Sequence, residues 1–275
     1  MNATLRKMQA SIDVNADTPV SYTFVNGEDL IPLNESLGQT IQLKFSGEIF
    51  CIHCDRKTKK SFSQGYCYPC FKKLAQCDMC IVKPETCHFD QGTCRDPDWA
   101  EKYCMQGHTI YLSNSSGLKV GITRNTQIPT RWIDQGAVQA LPIFHVNNRL
   151  HSGLVEIILA EHVADKTNWR TMLKGDVPIL DLQQERDKLI DTCESDLEQL
   201  WEEVEEFTLE PLENEIPISL QYPVLEYPKK IVSLNAEKNP LVEGTLMGIK
   251  GQYLILDTGV INIRKYTGYV AELML

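Results

Sequence analysis

The sequence has no apolar run approaching the length of about 20 residues that a bilayer-spanning helix needs. Its first residues, MNATLRKMQASIDV, hold no hydrophobic stretch followed by a small-residue cleavage site, so we expect that the protein is not secreted. We therefore expect a cytoplasmic protein with no membrane partner. In a reducing compartment, clustered pairs of cysteines favour metal binding over disulfides.

The chain also lacks an excess of positive charge: its formal net charge is −10. This argues against a protein that coats nucleic acid indiscriminately. The charge is unevenly distributed, however, with a balance of +5 over residues 51–83 and −8 over residues 185–206. We expect any phosphate contact to be made by the basic segment and opposed by the acidic one.

Cysteine is scarce outside one short segment, since nine of the ten cysteines lie between Cys51 and Cys104. Four of them follow the pattern C-x2-C-x12-C-x2-C, namely Cys51, Cys54, Cys67 and Cys70. Two such knuckles on opposing hairpins can surround one Zn²⁺ with soft thiolates. Four thiolates leave no open coordination position, so the spacing predicts a structural zinc site.

The cysteines that follow predict a second zinc site, for which the first choice is the set Cys77, Cys80, Cys87 and Cys94. The pair Cys104-x3-His108 could replace Cys87 and Cys94 as ligands. His88, which lies between Cys87 and Cys94, is a further candidate. Spacing alone leaves the membership of this second site open.

The loop between the two knuckles is basic, and its side chains Arg56, Lys57, Lys59 and Lys60 are candidate contacts for the phosphates of DNA or RNA. Nearby aromatic residues have two alternative roles. Phe62, Tyr66, Tyr68 and Phe71 either stack on bases or pack the small core of a metal-held module.

The 275 residues allow two or three domains, and the pattern along the chain predicts an α+β protein. We expect β-rich terminal segments, which could form a joint small barrel, a zinc-ribbon-like module, a central α/β core and an acidic amphipathic helix from about Asp181 to Phe207. In order, the predicted units are 1–50, 51–107, 108–180, 181–215 and 216–275.

The central segment predicts a hairpin of strands Thr109–Ser113 and Leu118–Thr123 around an Asn-Ser-Ser-Gly turn. A helix should open near Pro129 and carry Arg131. A third strand, QALPIFHV, leads to a second helix from about Gly153, which carries Glu156.

This segment resembles the GIY-YIG nuclease superfamily over about residues 108–170. The matching residues are Ile110-Tyr111, Lys119-Val120-Gly121, Arg124, Arg131, Glu156 and Asn168, with Thr109 and Lys119 in place of the usual glycine and tyrosine. The whole chain also resembles the family called domain of unknown function 2797, which implies no activity.

The resemblance implies a catalytic site of Tyr111, Lys119, Arg124, Arg131, Glu156 and Asn168. One carboxylate, Glu156, is enough to hold Mg²⁺, and Arg131 would stabilise charge on a phosphoryl group. Tyr111 would accept a proton from water if Lys119 and Arg124 lower its pKa, and His145 is an alternative acceptor.

We therefore expect a zinc-containing, Mg²⁺-dependent endonuclease-like protein that cleaves DNA or RNA. The alternative is a non-catalytic nucleic-acid or ribonucleoprotein-binding factor that retains the scaffold. A third hypothesis is a protein adaptor that works through the acidic helix and the terminal barrel, with zinc in a structural role only. The sequence does not choose between DNA and RNA. The cleavage hypothesis requires Tyr111, Arg131 and Glu156 to meet at one open groove.

Overall fold

A computed structural model describes residues 4–13, 18–163 and 168–275, and it confirms a mixed α+β architecture. The α-helices are α1 (Tyr68–Lys73), α2 (Pro97–Tyr103), α3 (Thr130–Asp134), α4 (Arg149–Ala160), α5 (Trp169–Lys174) and α6 (Leu182–Glu203). The strands are β1 (Gln9–Ser11), β2 (Ser21–Asn26), β3 (Asp29–Pro32), β4 (Thr40–Ile49), β5 (His108–Asn114), β6 (Leu118–Arg124), β7 (Gln139–Val146), β8 (Glu210–Pro211), β9 (Ile218–Ser219), β10 (Leu241–Lys250), β11 (Tyr253–Leu256), β12 (Gly259–Asn262) and β13 (Tyr269–Met274).

The N-terminal and C-terminal segments share one antiparallel sheet with the strand order β12-β11-β10-β4-β13, which we call the joint sheet. Strand β4 lies between β10 and β13, and its alternate residues Ile41, Leu43 and Phe45 point to the same face of the sheet and are buried. The N-terminal segment therefore supplies an inner strand to the C-terminal sheet. Strands β1, β2 and β3 form a separate small sheet, and closure of the larger sheet into a barrel stays a prediction.

Within the C-terminal β-rich segment, QYPVLEY and KKIVSLN do not form the strands that their sequences predict. Residues 221–227 and 229–235 are irregular and make only isolated bridges, Val224 with Gly248 and Ser233 with Val260. Pro223 and Pro228 lack the N–H that a ladder needs, which prevents regular pairing here.

The central sheet has the order β6-β5-β7-β8, with β9 also paired to β7. The predicted hairpin is confirmed to within a residue at each end, and every residue of β5 is buried. Helix α4 begins at Arg149, four residues before the expected Gly153. The reason is a helix cap: the Asn148 side chain accepts a hydrogen bond of 2.9 Å from the His151 N–H.

The acidic helix forms as α6, and Asp181 caps it by accepting from the Gln184 N–H at 3.0 Å. Its buried stripe of Leu189, Cys193 and Leu197 packs on the core of the central sheet. The three- and four-residue spacing of the stripe would also place Trp201 in it, but Trp201 is 53% exposed near the end of the helix, where its ring meets that of Phe207 edge-on. Among the helices of the described residues, none combines the length and apolar character that crossing a membrane demands.

The position of β4 in the joint sheet predicts a large stability loss for Leu43→Ala. Leu43 is 1% exposed, so truncation should leave a cavity and lower the free energy of unfolding by about 2–5 kcal/mol. Leu241→Ala is a matched control because Leu241 lies on the neighbouring β10 but is 47% exposed. Equal effects of the two substitutions in chemical denaturation would contradict an inner position for β4.

Candidate functional site

Four sulfurs converge where β4 leads into the cysteine-rich segment. The Sγ atoms of Cys51, Cys54, Cys67 and Cys70 lie within 4.8 Å of one another, as their spacing predicted. Cys51 follows β4, while Cys67 precedes α1 and Cys70 lies in its first turn. Four converging thiols could bind a metal such as zinc, and the donor set fits a structural site.

The backbone around this four-cysteine cluster favours a thiolate. Burial acts to raise the pKa of Cys51, but backbone N–H groups of Cys67, Cys54 and His53 outweigh it and lower the pKa to about 6. Burial and the neighbouring thiols raise the pKa of Cys70. Without a cation the sulfurs cannot all ionise together, so a divalent metal would stabilise the cluster by neutralising their charge.

The structure does not group the four sulfurs first chosen for a second zinc site. Cys77 is buried and interacts with Ser63, Arg95 and Cys51, which places it beside the first cluster. Burial, followed by the charges of Asp78, Cys87, Cys104 and Cys94, raises the pKa of Cys80 to about 11. Ligand atoms within 4.8 Å of one another come instead from Asp78, Cys80 and His88.

The alternative ligand His108 is buried in β5, where its Nδ1 lies 2.7 Å from the Gln106 carbonyl oxygen. Burial, followed by the charges of nearby arginines, lowers its pKa to about 4. His108 does not belong to either ligand group found among the described residues.

A groove of about 700 Å³ opens between the cysteine-rich segment, the central sheet and the joint sheet. Two carboxylates, Asp134 and Glu156, line it beside a larger set of cations. Those cations are Arg6, Lys7, Arg124, Arg131, Arg149 and Arg264. The groove is therefore strongly positive although the whole chain is negative, and it would attract an anion.

The three residues central to the cleavage hypothesis meet at this groove, though not at the same depth. Arg131 and Glu156 line it, whereas Tyr111 is fully buried. The charges of Arg131 and Glu156 both act on the Tyr111 hydroxyl, so the three groups are close neighbours.

Tyr111 is held as a protonated phenol. Its hydroxyl donates to Gln135 Oε1 at 2.9 Å, and its ring packs so closely on Gly121 that a Cβ there would lie 2.7 Å from the ring. Burial raises the pKa of Tyr111 to about 12, although Arg131 acts in the opposite direction.

Arg149 connects α4 to the cysteine-rich wall of the groove. Its Nη2 donates to the Ile81 carbonyl oxygen at 2.6 Å, while its buried Nε has no hydrogen-bond partner among the described residues. Burial lowers the pKa of this guanidinium. A buried donor without a partner is costly, so an acceptor group of a ligand would satisfy it.

The other sequence-predicted residues have different positions. Lys119 lies on β6 but outside the groove lining, and Asn168 caps α5 by accepting from the Arg170 and Thr171 N–H groups. The knuckle-loop side chains Arg56, Lys57, Lys59 and Lys60 are exposed and also lie outside the lining. Phe62 stacks on Phe71 at 5.7 Å, which matches the packing alternative for the aromatic residues.

The sequence patterns did not identify four of the groove cations as site residues, namely Arg6, Lys7, Arg149 and Arg264. Arg149 had a local signal, because it follows the helix-capping Asn148 and must lie in the first turn of α4. The others come from opposite ends of the chain, and no local pattern links them.

The four-cysteine cluster predicts that Cys67→Ser lowers the zinc content by about one ion per chain, because it removes one of four thiolate ligands. Elemental analysis of the purified full-length chain measures this. Cys193→Ala is the matched control, since Cys193 is buried in the α6 stripe far along the chain. An unchanged zinc content in Cys67→Ser would contradict the site.

No curated protein and no solved structure matches this chain. The model of the family described as "protein of unknown function (DUF2797)" matches residues 38–271. The match spans the four-cysteine cluster and most of the groove, but Arg6 and Lys7 lie outside it. Because the match covers most of the sequence, the chain belongs to the DUF2797 family.

Proposed function

We propose that the groove binds the phosphodiester backbone of DNA or RNA and that the chain is a metal-dependent endonuclease-like protein. The observation that carries the proposal is the excess of cations in the groove, six against two carboxylates. Arginine is suited to phosphate because its planar guanidinium offers paired donors to two oxygens.

The two carboxylates of the groove leave most of its positive charge uncompensated. Asp134 is engaged by Lys7 at 2.8 Å and lies 3.8 Å from Arg264, so its single negative charge is shared between two cations. Arg131 acts electrostatically on both Arg149 and Arg264, and Glu156 acts on Arg149. A phosphate would bind best beside Arg131 and Arg149, where the cations outnumber the neighbouring Glu156 carboxylate.

Arg131 and Glu156 suit the two charge roles of phosphodiester cleavage. Arg131 would donate to the phosphoryl oxygens as negative charge develops on them. Glu156 would hold Mg²⁺ jointly with the phosphate, a donor set that fits because this ion commonly takes one or two carboxylates together with substrate oxygens. When bound, Mg²⁺ withdraws charge from the phosphate as a Lewis acid.

In this proposal Tyr111 has a structural role beneath the groove and does not act on the substrate. Its hydroxyl donates to Gln135, and its buried ring supports the part of the groove that Arg131 lines. A phenolate is opposed by burial, so Tyr111 keeps its own proton and does not accept another unless a bound metal ion lowers its pKa.

A second candidate function is a non-catalytic nucleic-acid or ribonucleoprotein-binding factor. The protonated and buried Tyr111 favours it, because the resemblance to GIY-YIG nucleases assigns this tyrosine a proton-accepting role. The two candidates share the phosphate-binding groove and differ in whether cleavage follows binding.

Phosphate binding in the groove predicts that Arg124→Gln and Arg131→Gln each weaken nucleic-acid binding and reduce its salt slope by about 1. Fluorescence anisotropy with labelled single-stranded and duplex DNA and RNA, over a range of salt concentrations, measures both. Lys59→Gln on the knuckle loop is the matched control. A loss in Lys59→Gln without a loss in the groove variants would move the binding surface to the knuckle loop.

Cleavage by the same groove predicts that Glu156→Gln lowers Mg²⁺-dependent cleavage by about 100-fold or more while binding persists, because the ion loses its protein carboxylate. Gel analysis of labelled DNA and RNA measures the products. Glu161→Gln, just after α4 and exposed, is the control. Binding without cleavage by the unaltered chain would instead support the non-catalytic candidate.

A further inference from the structure

A second group of metal-ligand types lies beside the four-cysteine cluster. One ligand atom from each of Asp78, Cys80 and His88 lies within 4.8 Å of the others. A thiolate, an imidazole and a carboxylate are the three side-chain types that bind zinc in proteins. We propose that these three residues form a second zinc site, separate from the four-cysteine cluster.

The hydrogen bonds of His88 orient its ring for a metal. Its Nδ1 lies 2.8 Å from Thr93 Oγ1, and this hydroxyl donates its single proton to the His88 carbonyl oxygen at 3.3 Å. The Nε2–H tautomer would reverse the 2.8 Å contact, but when the hydroxyl proton points to this carbonyl, the Nδ1–H group is the donor to the hydroxyl. In the neutral ring the lone pair is then on Nε2, which is the tautomer that ligates a metal.

That lone pair faces another acceptor. His88 Nε2 lies 3.5 Å from Asp78 Oδ2. A neutral imidazole nitrogen and a carboxylate oxygen repel each other at this distance unless a proton or a cation lies between them. A zinc ion that is also bound by the Cys80 thiolate satisfies all three groups at once.

Asp78 is held in place as a ligating carboxylate usually is. Its Oδ1 accepts from the Met79 N–H at 2.6 Å, and its Oδ2 accepts from Arg95 Nε at 2.8 Å. Arg95 also donates to the Phe71 and Leu74 carbonyl oxygens, so α1 fixes its position. Such outer hydrogen bonds orient ligands before the metal binds.

A fourth ligand would come from the same cysteine-rich segment. Cys87, Cys94 and Cys104 all lie near enough to act electrostatically on Cys80. One of these thiols would complete a tetrahedron, and none of them belongs to the first cluster.

The site would fix one wall of the groove. Ile81, Val82 and Pro84 line the groove directly after Cys80, and the Ile81 carbonyl oxygen accepts from Arg149. A metal at Cys80 therefore would hold the backbone that positions Arg149.

Native mass spectrometry and elemental analysis of the full-length chain test the site. The unaltered protein should carry about two zinc ions, and Cys80→Ser and His88→Ala should each lose about one. His88→Cys restores a zinc ligand and should regain it, which separates loss of a ligand from loss of the fold. Cys193→Ala should keep both ions.

Three results would overturn the second site. The first is about one zinc ion in the unaltered protein, unchanged by Cys80→Ser and His88→Ala. This would mean that a proton, and not a metal ion, lies between His88 Nε2 and Asp78 Oδ2. The second is loss of the second ion in Cys77→Ser but not in His88→Ala, which would assign the ion to the neighbouring thiols. The third is failure of His88→Cys to regain an ion that His88→Ala loses.

Discussion

The groove depends on one nearly buried carboxylate, that of Asp134 at the end of α3. Its side chain is 5% exposed and accepts hydrogen bonds of 2.8 Å from both Lys7 and Gln252. Arg264 lies 3.8 Å away and in turn donates to Gln64, which lies between Cys54 and Cys67. A carboxylate with so little solvent requires such partners, so Asp134 connects the chain start, the central unit, the joint sheet and the cysteine-rich segment.

This arrangement explains how an acidic chain can present a basic surface. The acidic residues of α6 face outward, because its apolar stripe packs on the central sheet. The arginines face a concave surface between three parts of the chain. A concave surface with walls of low polarity focuses the field of its charges, so a local excess of cations can attract an anion despite a net charge of −10.

The sequence predicted the features that depend on neighbouring residues. The C-x2-C spacing of Cys51 and Cys54 and the turn between β5 and β6 are local, and both are present in the structure. The groove was not predictable as a whole, because Arg6 and Arg264 come together through hydrogen bonds between residues far apart in the chain, those of Leu5 with Gly268 and Tyr269. Charge counting identified the basic knuckle loop but not the direction of its side chains. Likewise, the strand pattern around Tyr111 indicated a site without revealing that the phenol lies below the groove surface.

The most direct test of phosphate binding in the groove is amide hydrogen exchange of the full-length chain with and without a short single-stranded oligonucleotide. Binding in the groove predicts slower exchange in β6, α3 and the first turns of α4, which carry Arg124, Arg131 and Arg149. Protection confined to the knuckle loop around Lys59, or no protection at a saturating concentration, would contradict it.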